Sequence, residues 1–520
     1  MDAKEWDELS NKRLERYRDR NSRYSAREEE IRHKLKTPVL LKFSDTPLSE
    51  VVDHLMSLTG VNIHLDNRGM AEEGVATDTA VTITLNQEIS LESALDLILE
   101  ELHLTYVIKD EVLKITSERQ RETETFPRSY DVADFPALTG REEDWRFTPP
   151  GDVVLDGPDP EAPGAVEPGD AAPRGERAGH LRLLDGHGAA PEGVDVPDGV
   201  VVAELGQALS DHEDLLRDRL YGLIGFDERA AALNAARWDG GTLVYVPRGV
   251  RLETPIETHL IATGAAGRIA ARTLVVVEDG ASATVIDRYS SPELDGPVQA
   301  STAVELYVGQ GAELEHLSLV DWGSSVRHHA MLRADTGRDA RVRSVVLTLG
   351  GDIVRVEPTM VCTGPGADAR ALGLYFADGD QHFEHRVVSR HEAPQAYSNL
   401  LYKGALKDTS HTVFFGNLVV PPGAPGTDAY QTNRNLVLNE GARADTIPFL
   451  EIETAEVKCS HAGAVGRVDD EHLFYLESRG VPSTIAKRLV VMGFLQEVIE
   501  QVSLPELRDE VEAAVEAKLR

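Results

Sequence analysis

Cysteine is nearly absent: Cys362 and Cys459 are the only two in 520 residues. Two thiols cannot make a disulfide framework, or a zinc ribbon from this chain alone, so both are expected to be free. Basic residues are also in deficit, with 53 Lys and Arg against 88 Asp and Glu and a formal net charge of -35. That balance argues against nucleic-acid binding, which needs clustered cations to neutralise phosphates. No apolar run approaches the roughly 18 residues of a membrane-spanning helix, so no membrane segment is expected. Met1 to Glu30 is charged and lacks an apolar core, which predicts no secretory signal and a cytoplasmic chain.

What is present divides into parts, as the length predicts. Residues 1–37 form a charged arm, helical or disordered, typified by Lys12-Arg13-Leu14-Glu15-Arg16. Residues 38–118 make a small α+β module with two similar helical segments, Leu48 to Leu55 and Leu91 to Leu99, each with strands before and after it. Thr46 is placed as the cap of the first helix, with Pro47 at its first position and Gly60 ending it. Residues 119–238 are a linker, Pro/Gly/Asp-rich and loop-like from Asp152 to Pro197, then a helical region from Val201. Trp145 and Phe147 sit in a polar run, a pattern that pins a segment onto a neighbouring surface.

From 239 to 466 short β-rich runs dominate, such as Thr273-Leu274-Val275-Val276-Val277 and Val345-Val346-Leu347-Thr348-Leu349. A turn phrase recurs in Asp279-Gly280-Ala281, Gln310-Gly311-Ala312, Arg338-Asp339-Ala340, Pro365-Gly366-Ala367 and Glu440-Gly441-Ala442, the first four about thirty residues apart. Near-regular turns between short strands predict a mainly β fold, a right-handed parallel β-helix. Its end edges would invite another chain. Residues 467–520 read as helices, with Asp469 and Asp470 at a helix start and an apolar stripe of Ile485, Leu489, Val490 and Phe494 expected to pack against the solenoid end.

At the junction stands Lys458-Cys459-Ser460-His461. Side chains alternate along a strand, so Cys459 and His461 share a face and one metal or sulfur species can touch both. Two ligands do not by themselves close a metal site. Lys458 or His461 is expected to favour the thiolate of Cys459. Cys362, in an alternating β segment, reads as a buried hydrophobe. His382 and His385 fall on opposite faces, whereas His382 and Glu384 share one. His328, His329, His391 and His411 read as structural or surface residues.

Several ordered motifs then carry a resemblance: Trp145-Arg146-Phe147-Thr148-Pro149, Leu233-Asn234-Ala235-Ala236, Tyr245-Val246-Pro247-Arg248-Gly249-Val250, Tyr402-Lys403-Gly404, Asp428-Ala429-Tyr430-Gln431-Thr432-Asn433-Arg434-Asn435 and Cys459-Ser460-His461. From about residue 129 onward the chain resembles the SufB/SufD family of Suf iron-sulfur cluster assembly scaffolds, and within it the SufD branch. The resemblance implies a β-helix core, pairing with a SufB-like paralogue, and a helical C-terminal domain that binds the SufC ATPase. It implies a non-catalytic subunit with no permanent cofactor, transient iron or a nascent cluster at Cys459 and His461 on the SufB interface, and ATP on SufC. Alone, such a chain is expected to form a homodimer. Tyr475, Arg479, Gly480 and Arg488 lie in the segment expected to meet SufC. A SufB-like scaffold is the alternative, although SufB needs its own cysteines. Residues 38–117 resemble the short N-terminal domain of secretins and TonB-dependent receptors, and a reading led by that module makes the protein envelope-associated. A polysaccharide-processing β-helix is a further class, but only 6% of residues are aromatic and Asp428 and Asp445 stand isolated.

Overall fold

A computed structural model describes residues 31, 34–66, 70, 74–84, 89–100, 102, 104–109, 112–117, 145–148, 173, 175–188, 190–226 and 228–520. Most of the charged arm, residues 131–136 and 140–144, Pro149 and the Pro-rich stretch 152–172 lie outside this set. The chain divides into two units, Met1–Ser129 and Tyr130–Arg520.

In the first unit, helices Leu48–Thr59 and Leu91–Glu100 bury Leu48, Val51, Leu55, Leu91, Leu95 and Ile98. Strand Lys42–Pro47 pairs antiparallel with Ala80–Thr84, while Ile63–Leu65 lies parallel to Val112–Ser117, itself antiparallel to Leu104–Lys109. Thr46 does not cap the first helix. Pro47 stands at the cap without a side-chain bond, and the Leu48 and Ser49 amides donate to the carbonyls of Thr79 and Thr77. Backbone acceptors from a neighbouring segment replace the hydroxyl. Gly60 ends the helix in the left-handed region, φ 66°, as the sequence predicts.

The second unit is a parallel β-solenoid built from two facing sheets. One runs from Val201–Glu204 to Arg443–Ile452 and the other from His187–Gly188 to Lys458–Arg467, with successive strands in parallel register except for the antiparallel first strand of each sheet. Val275 and Val277, Leu306 and Val308, and Leu332 and Ala334 point into one continuous core. Along one edge, each coil turns on a left-handed residue: Gly280, Gly311, Asp339, Gly366, Gln395 and Gly426. The amide of each donates to a carbonyl of the next coil, those of Gln310, Arg338, Pro365, Pro394, Pro425 and Glu456 respectively. Four of the five turn phrases belong to this column. Glu440-Gly441-Ala442 connects Asp428–Val437 to Arg443–Ile452 on the opposite edge, which is why it breaks the spacing.

Part of the expected loop and helical region is strand. Gly179–Leu184 joins one sheet beside Ile256–Ile261, with Leu181 and Leu183 inward, and Val201–Glu204 pairs antiparallel with Gly240–Val246 before helix Leu205–Asp211 begins. The neighbouring edges supply hydrogen bonds that local composition does not reveal. Trp145 and Phe147 do contact the solenoid, and Thr148 adds to them: the Arg355 guanidinium lies 4.0 Å from the Trp145 ring centre, the Phe147 and His411 ring centres are 6.4 Å apart, and Thr148 Oγ1 is 2.9 Å from His382 Nε2.

Three helices follow the solenoid, Asp470–Glu477, Ser483–Ile499 and Pro505–Lys518. Val491, Leu495, Val498, Ile499, Leu507, Val511 and Val515 pack on Leu317, Leu319, Val345, Leu347, Leu372 and Leu374. This is the outer flank of a sheet, not the solenoid end. Of the predicted stripe, Phe494 packs against this cluster, whereas Ile485 is 47% and Leu489 51% exposed. The long helix is apolar on nearly all sides, so sequence spacing did not reveal which side meets the sheet.

Burial inside the solenoid makes the fold acid-sensitive. Desolvation holds His328 and His385 at about 3 and His391 at about 4, against roughly 6.5 in the unfolded chain. A depressed imidazole pKa means the unfolded state binds more protons, so this stability is complete above about pH 6.5 and falls as pH drops toward 4. Each histidine should cost about 1.4 kcal/mol per pH unit within that window. Thermal unfolding should therefore occur at lower temperature at about pH 5 than at about pH 7, with a shallower fall in His391→Gln. An unchanged midpoint would contradict this account.

Candidate functional site

The two ends of the solenoid are built differently. At the first end the parallel stack stops at two short antiparallel strands, Val201–Glu204 and His187–Gly188. At the last end it stops at two ten-residue strands, Arg443–Ile452 and Lys458–Arg467, each paired on one side only among the described residues. A long unpaired parallel edge is a template for another chain, whereas a short antiparallel strand blunts one. Phe449, Ile452 and Val465 are exposed at this open end, with Tyr430 one rung earlier.

Cys459 and His461 lie on Lys458–Arg467, in register with Ala429 and Gln431. Both partners are buried, and Cys459 packs half-buried against the interior cluster that contains Ala429. Alternation therefore turns Cys459 and His461 toward the solenoid interior on its last rung, where His461 is exposed because no further coil among the described residues covers it. The sequence expectation of one shared face holds.

The electrostatics differ from expectation. Burial, followed by the Asp428 carboxylate, pushes the Cys459 thiol above its ordinary value. Alternation sends Lys458 to the opposite face, so it cannot stabilise a thiolate there. Cys362 is fully buried and pushed up to about 12, chiefly by desolvation. It is a packing residue, as its β segment predicts.

Sequence reasoning missed the layer beneath the pair. Asn433 Nδ2 donates to Tyr375 Oη at 2.9 Å, Tyr375 donates to Asn435 Oδ1 at 2.6 Å, and Asn435 Nδ2 donates to Asn433 Oδ1 at 2.8 Å. Gln431 Nε2 donates to the Gly416 carbonyl, while its buried Oε1 lacks a partner among the described residues. The alternation of Gln431, Asn433 and Asn435 in the sequence was the available signal. It marks an inward amide layer that closes the apolar core behind the last rung.

The structure separates the four C-terminal candidates. Tyr475 is 56% exposed, with the Arg479 guanidinium 3.7 Å from its ring centre. Gly480 adopts φ 85° at the helix end, and a Cβ there would touch nothing. Arg488 pairs with Glu516 of the last helix at 2.6 Å and so braces the two helices. Phe474, 71% exposed, joins Tyr475, Ile485 and Leu489 as large apolar side chains left in solvent, and helix Asp470–Glu477 buries none of its residues. Lys403 Nζ donates to the Phe494 carbonyl at 2.7 Å, and Arg288 pairs with Glu510 at 2.6 Å, tying the longer helices to the solenoid flank.

A family profile described as "SUF system FeS cluster assembly, SufBD core domain" matches residues 260–494. The chain is 36% identical over 400 residues to an iron-sulfur cluster assembly SufBD family protein of Mycobacterium leprae, covering 75% of this chain and 93% of that protein. It is 36% identical over 401 residues to one from Mycobacterium tuberculosis, covering 75% and 91%, and 26% identical over 307 residues to one from Staphylococcus epidermidis, covering 59% and 66%. With a solenoid core and this extent of similarity, the chain belongs to the SufBD family of iron-sulfur cluster assembly proteins.

Proposed function

We propose that this chain is the SufD-like, non-catalytic scaffold of a Suf assembly complex and contributes half of a transient iron-sulfur site. The carrying observation is the open last rung, which couples two unpaired ten-residue edges to the inward pair Cys459 and His461. A SufB-like paralogue with matching edges would continue both sheets and close the rung. It would supply the remaining ligands, since Cys459 and His461 are only two. Iron is cargo here, and the Gln431 amide oxygen is suited to accept a ring N–H from His461, fixing which nitrogen faces the metal. Closure of the interface would set the chemistry of Cys459, whose thiol must lose its proton to ligate.

The exposed surface of Phe474, Tyr475, Ile485 and Leu489 is suited to a SufC-like ATPase. Force applied there would pass through Lys403 and Arg288 to the solenoid flank, and movement of the last coils would open the paired edges to iron and sulfide. The lack of any further accessible thiol beside the half-buried Cys459 favours the SufD branch over SufB, because Cys362 is buried.

Co-expression with a SufB-like and a SufC-like protein tests this reading. A single complex containing all three is expected, with the chain a homodimer when expressed alone. Purification of the chain without either partner, in the presence and absence of ATP, would sink the assignment.

A further inference from the structure

Far from the open end, on the outer face of the first coils, His180, Glu257 and His259 offer ligand atoms that all lie within 4.8 Å of one another. His180 lies on Gly179–Leu184, in register with Glu257 on Ile256–Ile261, and alternation along the latter strand places Glu257 and His259 on one face. All three residues are buried. His180 Nε2 is shielded from solvent and lacks a hydrogen-bond partner among the described residues. His259 Nε2 lies 2.7 Å from Ser290 Oγ. When that nitrogen donates, the lone pair is on Nδ1, and such an outer hydrogen bond orients an imidazole for ligation.

The charges around this cluster leave room for a cation. Glu257 accepts from Arg177 Nε at 2.7 Å and from Arg288 Nε at 3.1 Å. The same guanidiniums reach Glu506 at 3.1 Å and Glu510 at 2.6 Å on the last helix. Three carboxylates thus face two guanidiniums, and the nearby Arg182–Glu192 pair cancels itself. The two arginines keep carboxylate partners when Glu257 turns an oxygen lone pair to a metal. The ion-pair network accounts for Glu257 but gives no role to the buried Nε2 of His180. Burial lowers the pKa of His180, favouring the neutral imidazole that ligates.

We propose that His180, Glu257 and His259 form a site for one divalent transition-metal ion of the zinc, cobalt or ferrous type. Two imidazoles and a carboxylate suit such ions better than magnesium or calcium, which take oxygen ligands. Three protein ligands leave a further coordination position. The ion would tie the strand that enters the solenoid to the one beside it, beneath the last helix.

The full chain, stripped with chelator and desalted, is titrated with Co2+ without partners. One equivalent with the visible absorption of a low-symmetry cobalt site is expected, displaced by Zn2+. His180→Ala and His259→Ala should each weaken binding by at least about tenfold. A Cys459→Ser, His461→Ala double variant should bind as wild type does, separating this site from the one at the open end. If an alanine variant does not fold, His180→Gln and His259→Gln, each checked by circular dichroism, replace it with the same expectation. No cobalt on the wild type, undiminished binding in the folded histidine variants, or loss of the metal in the double variant would overturn the proposal.

Discussion

His461→Ala is expected to reduce iron-sulfur cluster formation by about tenfold or more while the assembled complex stays intact. The magnitude follows from metal sites in which changes to mere supporting partners cost roughly 10–100-fold. The intact complex is expected because two ten-residue edges, and not this one side chain, carry the pairing, and His461 fills no core space within the chain itself. Its removal should leave thermal stability within about 0.5 kcal/mol, as for other surface substitutions. Iron and acid-labile sulfide after anaerobic reconstitution, read beside gel filtration of the same sample, check both parts. Loss of the complex would make the residue structural, and undiminished cluster would remove it from the site.

The second large effect is expected from Phe474→Glu combined with Leu489→Glu, which should weaken association with a SufC-like ATPase by about 100-fold or more. Buried anchors at interface centres carry about 2 kcal/mol or more each, and a carboxylate in their place must be desolvated. Both side chains are about half exposed or more in the free chain, so folding should be unaffected. Leu495→Ala gives the converse. Leu495 is fully buried against the solenoid flank, so its truncation should cost about 2–5 kcal/mol of stability. Calorimetric titration and thermal unfolding distinguish the two. Unchanged affinity in the double variant would move the docking surface elsewhere.

Much of this architecture was legible because it repeats. Valine-rich alternation and the turns at Gly280, Gly311, Asp339 and Gly366 recur with the coil, and stacking amplifies a weak local pattern. Gln395-Ala396 and Gly426-Thr427 occupy the same column with only half of the Gly-Ala phrase, as Asp339-Ala340 does, and their backbone conformation identified them. The long C-terminal helix was legible as a helix but not in its orientation. Ile485 and Leu489 look as buried as Val491 and Leu495 until the sheet beneath them is known.

Sequence alone determined the scarcity of thiols, the repeating strands and turns, and the placement of Cys459 and His461 on one face, because these depend on composition and on the two-residue period of a strand. Tertiary structure decided the rest. It set that face inward on a last rung that no further strand covers among the described residues, blunted the opposite end with antiparallel strands, raised the Cys459 thiol by burial beside Asp428, and laid the helices on the flank. Each of these outcomes depends on which distant segment lies alongside, and long-range pairing leaves no trace in local spacing.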